Sequence, residues 1–492
     1  MTRRKTRIAL VTLLTVLFSF SGCQKSPAKD VIVSKNDGSF ESKIITPTAE
    51  TVPTGDDYQV SYFKEFDSTD ESVHFSMEID QIIPAADTPI TQVSSHFLTE
   101  EDAKGVANAI FPDATFFEAE LSQTENLSKG EIQERIRRWS EYANINSLKS
   151  LYGNTYSDTA LNEFLPTIRS FIENYTIKYE TAPEEVAHTP CSWKMRKSLE
   201  YVLSPEERSG ADLSDSNDEI SAQFVADGIP YCFTMATRNR NDFKVNMISV
   251  YIYAGMGPIN LDETIFHSRL TRTAEPAQEE IDAVKRKAEQ ILSDMNLGAW
   301  QIDECFVGRQ DCGEATEYTI YVNAVPNFGN IPVLRRTQLT SLRNEDGYAA
   351  EQYYTDVNFA FSPDGRLISF NLFTPVECRR TVSDGAEVMS IPSLLERAQE
   401  HLRLTDSYAY GFGDFLPFIS EAVQCNVTIS ELEYGLSRIK ARDTEDTYYY
   451  VPSVAVKGDV VYVGKESGKP FYSSEKPENL LYINAMDGTI IS

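Results

Sequence analysis

Seven cysteines and five histidines are the side chains with the widest chemical range in this chain. Cys191, Cys232, Cys305, Cys312, Cys378 and Cys425 follow Cys23, and an even set permits disulfides in an oxidising compartment. Cys305 and Cys312 bracket the turn-like segment Gly308-Arg309-Gln310-Asp311 and form the candidate disulfide. Cys425 shares a strand face with Val423 and Val427, where a buried free thiol and a paired one are equally open. No two cysteines have the spacing of a structural zinc site or of a Cys-x-x-Cys redox pair. His74, His96, His188, His267 and His401 are scattered, and no His-Glu-x-x-His helix presents a metal. Neither a metal nor a cofactor is expected.

Nucleophilic chemistry is equally unsupported. Ser26-Pro27-Ala28-Lys29, Ser437-Arg438-Ile439-Lys440 and Ser473-Ser474-Glu475-Lys476 match Ser-x-x-Lys, but no Lys-Thr-Gly strand accompanies them. Gly255-Met256-Gly257 and Gly411-Phe412-Gly413 lack the third glycine of a phosphate loop. Asp212, Asp215, Asn217, Asp218 and Glu219 make the densest run of oxygen ligands. Ile220 stands where a calcium loop needs glycine, so the run reads as a solvated acidic loop. Tyr448-Tyr449-Tyr450 has two readings, stacking on a wall glycan and cross-strand packing, and the second is the commoner use of tyrosine at strand spacing. No catalytic residue is assigned, and the chain is expected not to be an enzyme.

The N-terminus supplies an address. Arg3, Arg4, Lys5 and Arg7 precede an apolar run from Ile8 to Phe20, broken only by Ser and Thr. That run is too short to span a hydrocarbon core of about 30 Å and has the length of an export-signal h-region. Thr6 stands where a twin-arginine signal prefers a hydrophobic residue, so the general export route is the expectation. Phe20-Ser21-Gly22-Cys23 resembles the lipobox of bacterial lipoproteins, with Phe in place of the commoner Leu. The resemblance implies cleavage after Gly22, a diacylglyceryl group on the Cys23 thiol, and a mature protein held on the outer face of the cytoplasmic membrane.

These residues are set in a 492-residue chain that is 41% hydrophobic, with 26 Phe and 25 Tyr, enough for two or three cores at about 150 residues each. A formal charge of -29 disfavours nucleic acid and anionic lipid as partners. Residues 1–22 read as signal peptide and 23–56, rich in Pro, Ser, Thr and Lys, as a flexible tether. Folded domains are expected over 57–273 and 274–492. Val73, Phe75, Met77 and Ile79 alternate with polar residues as a half-buried strand. Thr99 and Ser128 are expected to cap helices, the second through a capping box with Glu131. Leu161 to Tyr175 opens like a helix, while Tyr175 to Tyr179 has strand character. Strands follow over 219–266, with a turn at Asp227-Gly228. The spacing of Ile281, Val284, Ala288 and Ile291 predicts a helix that Gly298 stops, and a second run of strands includes a hairpin across Ser362-Pro363-Asp364-Gly365.

Tyr450-Val451-Pro452-Ser453-Val454-Ala455-Val456 and Tyr482-Ile483-Asn484-Ala485-Met486-Asp487-Gly488-Thr489-Ile490 resemble the closing strands of PepSY-like regulatory modules. The layout from lipobox to this ending is similar to an uncharacterised family of clostridial lipoproteins. The resemblance implies an α+β protein of two similar halves, helices packed on antiparallel sheets, with a PepSY-like C-terminal half. It also implies a non-enzymatic binding or regulatory role at the cell envelope, with an envelope protein as partner. An envelope hydrolase with a dispersed site and a solute-binding lipoprotein of a transporter are the alternatives.

Overall fold

The computed structural model describes residues 58–491 except 84–87, 120–126, 147–157, 199–216, 227–228, 240–243, 253–270, 273–275, 313–314, 336–342, 345–346, 349–354, 384, 406–420, 442–446 and 475–476. Cys23, the tether, His267, the Asp227-Gly228 turn, both glycine pairs and most of the acidic loop lie outside the described residues.

In chain order, β1 (Tyr58–Asp67), β2 (Val73–Ile83) and β3 (Ile90–Ser95) lead to helix α1 (Glu100–Ile110). The short β4 (Phe117–Glu118), helices α2 (Lys129–Tyr142) and α3 (Asp158–Thr181) and the short β5 (Arg196–Lys197) follow. Next come β6 (Asp218–Ala226), β7 (Ile229–Asn239), β8 (Lys244–Ile252), β9 (Thr271–Arg272) and helix α4 (Gln278–Asp294). Strands β10 (Trp300–Cys312), β11 (Ala315–Phe328), β12 (Ile331–Pro332), β13 (Arg343–Asn344) and β14 (Gly347–Tyr348) precede β15 (Asp356–Phe361), β16 (Leu367–Phe373) and β17 (Val376–Ser383). Helix α5 (Ile391–Leu402), β18 (Val423–Lys440), β19 (Thr447–Gly464), β20 (Pro470–Ser473) and β21 (Glu478–Asn484) complete the order.

Among the described residues the fold is mainly β, with 49% strand against 24% helix, and this corrects the expected α+β plan of helices packed on sheets in two similar halves. The physical reason lies in what the helices bury. Helices α2 and α3 pack on each other, with Ile132 and Trp139 against Leu165, Ile168 and Tyr175 in a cluster of their own. The other three helices each cover part of a sheet, but strand residues outnumber helical ones about two to one among the described residues, and β18 and β19 alone run for 18 residues each.

The chain forms two compact units, residues 1–92 with 380–492, and residues 93–379. The domain boundary expected at 273/274 therefore falls inside the second unit. There β8 and β16, which lie on either side of it in sequence, pair antiparallel from Met247–Phe373 to Tyr251–Ser369.

In the first unit the sheet order is β1-β2-β18-β19-β3-β17, with β20 and β21 also paired to β19. Val73, Phe75, Met77 and Ile79 of β2 are buried as their alternation requires, together with Cys425, Val427 and Ile429 of β18 and Leu394, Leu395 and Ala398 of α5. Ser390 caps α5 by accepting from the Ser393 amide at 3.4 Å. Gly458 sits opposite the β18 bulge at Ile429/Glu431, where a Cβ would lie 2.5 Å from the Thr428 carbonyl oxygen. Only glycine permits that approach. Tyr448, Tyr449 and Tyr450 are buried, so the packing reading holds for all three.

In the second unit the sheet order is β4-β6-β7-β8-β16-β15-β11-β10-β9. Thr99 and Asp102 make the capping box that starts α1, and Ser128 and Glu131 the one that starts α2. Tyr175 to Tyr179 continues α3 rather than forming a strand. Arg135 donates to the Tyr175 hydroxyl at 3.1 Å and covers its ring, so packing in the helix pair overrides the local strand propensity. The predicted hairpin turn is present: Gly365 has φ +79° and its amide donates to the Ser362 carbonyl at 2.9 Å.

Candidate functional site

Each strand of the second unit's sheet alternates, and the register aligns the alternation across the sheet. One face carries two apolar cross-strand rows. Ala222, Phe233, Val250, Phe370, Phe359 and Val322 form one cross-strand row, and Ile220, Met235, Ile248, Leu372, Val357 and Ala324 the next. These residues are buried against one another and against Val106 of α1 and Val284, Ala288 and Ile291 of α4. Cys305 pairs with Val322 on this face.

The opposite face carries a continuous polar row. Ser221 pairs with Thr234, Thr234 with Ser249, Ser249 with Asn371, Asn371 with Asn358, Asn358 with Asn323, and Asn323 with Glu304. At about 4.8 Å per strand, this row of one residue from each of β6, β7, β8, β16, β15, β11 and β10 spans roughly 29 Å. Its middle members Thr234, Ser249, Asn371 and Asn358 are half-buried. Ser249 donates to the Asn371 side-chain oxygen at 2.7 Å, and Arg335 donates to the Asn358 side-chain oxygen at 2.8 Å. A flanking row on the same face reads Gln223, Cys232, Tyr251, Ser369, Ala360, Tyr321 and Phe306. Within it the Phe306 and Tyr321 rings stack at 4.9 Å.

Charges are confined to the two ends. At one end Arg335 reaches Glu304 at 3.7 Å and Asp356 at 3.5 Å. Burial raises the Asp356 carboxyl above the usual range, and the nearby Arg335 charge with hydrogen bonds from Asn358 and Arg335 opposes this only in part. At the other end burial lifts the Glu219 carboxyl to about 7. The row Glu219, Ala236, Met247, Phe373, Asp356 separates the two carboxyls by four strand steps, about 19 Å. Paired glycosidase carboxylates stand about 5–9.5 Å apart, so these two do not form such a pair. Burial also raises the Cys232 thiol, against hydrogen bonds from Tyr251, Thr234 and Ser221, which makes it a poor nucleophile. This face presents hydrogen-bonding groups at regular strand spacing, flanked by aromatic rings.

The raised Glu219 carboxyl has a measurable consequence. Between its ordinary 4.5 and about 7 the folded chain binds a proton that the unfolded chain releases, so stability falls as pH rises through that window. Glu219→Gln should melt higher than the wild type at pH 8 and level with it at pH 4. An equal difference at both pH values would mean that the charge is not the cause.

The candidate disulfide does not form. Cys305 and Cys312 occupy the single strand β10, seven residues apart, hence about 23 Å along the strand and on opposite faces. A disulfide joins Cα atoms no more than about 7 Å apart. Cys305 is free, as are Cys191, Cys232, Cys378 and Cys425. The turn-like Gly308–Asp311 segment is strand, paired with Thr316 to Thr319 of β11.

The described histidines serve separate local roles. His74 meets Asp67 at 2.8 Å, His96 meets Asp102 at 3.0 Å and His188 meets Glu131 at 3.4 Å. His401 is partly buried, which lowers its pKa and favours the neutral ring. Among the described residues no three His, Cys, Asp or Glu side chains gather as a metal site.

Sequence reasoning missed the polar row because every strand contributes one residue to it. Its one local signal is an Asn between apolar neighbours, recurring at Val322-Asn323-Ala324, Val357-Asn358-Phe359 and Phe370-Asn371-Leu372. The same pattern at Val245-Asn246-Met247 serves another purpose, since Asn246 accepts from the Leu98 amide and donates to the His96 carbonyl.

No family model matches the chain, and no curated protein does. Among solved structures the chain is similar to an uncharacterized protein from Eubacterium rectale ATCC 33656, at 10% identity, over 92% of this chain and 98% of that one, with a TM-score of 0.39.

Proposed function

We propose that this protein is a lipid-anchored, extracytoplasmic binding protein that holds a ligand or partner at the cell envelope without transforming it. The polar row carries the binding half of this reading. Neutral donors and acceptors stand on six successive strands, half-buried at Thr234, Ser249, Asn371 and Asn358, and bonds such as Ser249 to Asn371 and Arg335 to Asn358 hold them in place, which is the preorganisation a binding surface needs. The signal segment, the lipobox-like Phe20-Ser21-Gly22-Cys23 and the Pro- and Ser-containing tether support the location. Two acyl chains on Cys23 would hold it firmly, since each buried methylene contributes about 0.8 kcal/mol.

The test is in-cell photo-crosslinking. A photoreactive residue at Ser369, in the flanking row, should capture a discrete envelope component. The same residue at the exposed Glu289 of α4 should not. Equal capture from both positions, or none from Ser369, would remove the polar face as the binding surface.

A further inference from the structure

We propose that the polar row binds an uncharged, polyhydroxylated chain, a glycan, laid across the strands. The inference rests on the reading of this face as the binding surface and specifies what it takes. Ser221, Thr234, Ser249, Asn371, Asn358 and Asn323 stand on six successive strands of the sheet, and each side chain both donates and accepts. A sugar hydroxyl has the same dual capacity. Asn371 is engaged through its oxygen by Ser249, and its amide nitrogen makes no hydrogen bond among the described residues. That donor pair is available at the middle of the row, on a half-buried side chain.

The surroundings narrow the class. The half-buried Tyr251 lies in the flanking row on one side, and the half-buried Phe373 lies in the row on the other. Aromatic faces beside convergent hydrogen-bonding groups suit a sugar ring, which presents a C–H face with hydroxyls at its rim. Charge argues against an anionic chain. Arg335 is already engaged by Glu304 and Asp356, Glu219 stands at the far end, and the whole chain carries -29. Backbone pairing argues against an extended peptide, which adds to an open strand edge through main-chain groups. The central strands β7, β8, β16, β15 and β11 are all paired on both sides, so this face offers side chains and no free edge. Ser221 and Asn323 at the ends of the row are buried, and the half-buried stretch from Thr234 to Asn358 spans three strand steps, about 14 Å, which accommodates two or three sugars.

The test uses the mature chain and an array of neutral oligosaccharides, among them chitohexaose and cellohexaose. Polygalacturonate serves as the anionic comparator and a neutral serine-rich decapeptide as the peptide comparator. At least one neutral oligosaccharide should bind, and the Ser249→Ala/Asn371→Ala variant should bind it about tenfold more weakly with unchanged circular dichroism. Should that variant lose its fold, Thr234→Val, which removes one hydroxyl at constant shape, provides the same reading. Failure of every neutral oligosaccharide, preference for either comparator, or unchanged affinity in folded variants would overturn the proposal. Capture of a protein from Ser369 in cells alongside such a failure would retire the glycan and keep the envelope-binding reading. Failure of both experiments would retire both.

Discussion

Cys23→Ser should move the protein from the membrane fraction to the medium and abolish its labelling by fatty acid. The expectation follows from the anchor's arithmetic. One acyl chain binds a bilayer only marginally, and stable anchoring needs a second signal, which a diacylglyceryl thioether supplies in one residue. Nothing else in the sequence offers a comparable hold. No helix among the described residues is long and apolar enough to cross a membrane, and the net charge of -29 repels anionic headgroups. A serine at this position has no thiol to alkylate, so the effect is close to all-or-none. The measurement is fractionation of cells grown with labelled palmitate, before and after detergent extraction. Persistence of the serine variant in a salt-washed membrane pellet would show that the uncleaved h-region or a bound partner, rather than lipid on Cys23, holds the chain.

How much of this molecule was legible follows from the distance over which each feature is specified. Local features read well because their cause lies within a few residues. Thr99 with Asp102, Ser128 with Glu131, the alternation of Val73 to Ile79 and the Ser362–Gly365 turn each satisfy backbone groups or a face from neighbouring positions. The fold class failed because it is decided by what each helix covers. Ile132 and Trp139 have the spacing of a sheet-packed helix, but they face Leu165 and Ile168 of α3. The division of the chain failed because pairing between distant segments sets it. Parallel register between Val427 and Phe75, and between Ile429 and Met77, ties the end of the chain to its beginning. The candidate site is the extreme case. Asn323, Asn358 and Asn371 are unremarkable one by one, and only two successive strand registers bring them side by side.

Phe359→Ala should cost the second unit about 3–5 kcal/mol, a large share of the roughly 5–15 kcal/mol by which domains are stable. Phe359 is 1% exposed on β15, between Val322 and Phe370 in the apolar row. Its ring lies 5.1 Å from that of Phe370 and 5.6 Å from that of Phe361. Truncation removes a ring from a contact set held by three adjacent strands, whose backbone hydrogen bonds prevent them from closing over the void. The neighbouring Asn358→Ala reports on the other face, where a half-buried amide gives up its contact with Arg335 but opens no comparable cavity. Urea titration followed by tyrosine and tryptophan fluorescence would measure both, with the midpoint for Phe359→Ala shifting far more than that for Asn358→Ala. The contrast tests the register itself, because a one-residue slip of β15 would exchange the faces of Asn358 and Phe359 and reverse the order of the two effects. The same slip would take Asn358 out of line with Asn323 and Asn371. The stability ranking and the binding row therefore depend on one alignment of strands, and a reversed ranking would dismantle the candidate site along with the core.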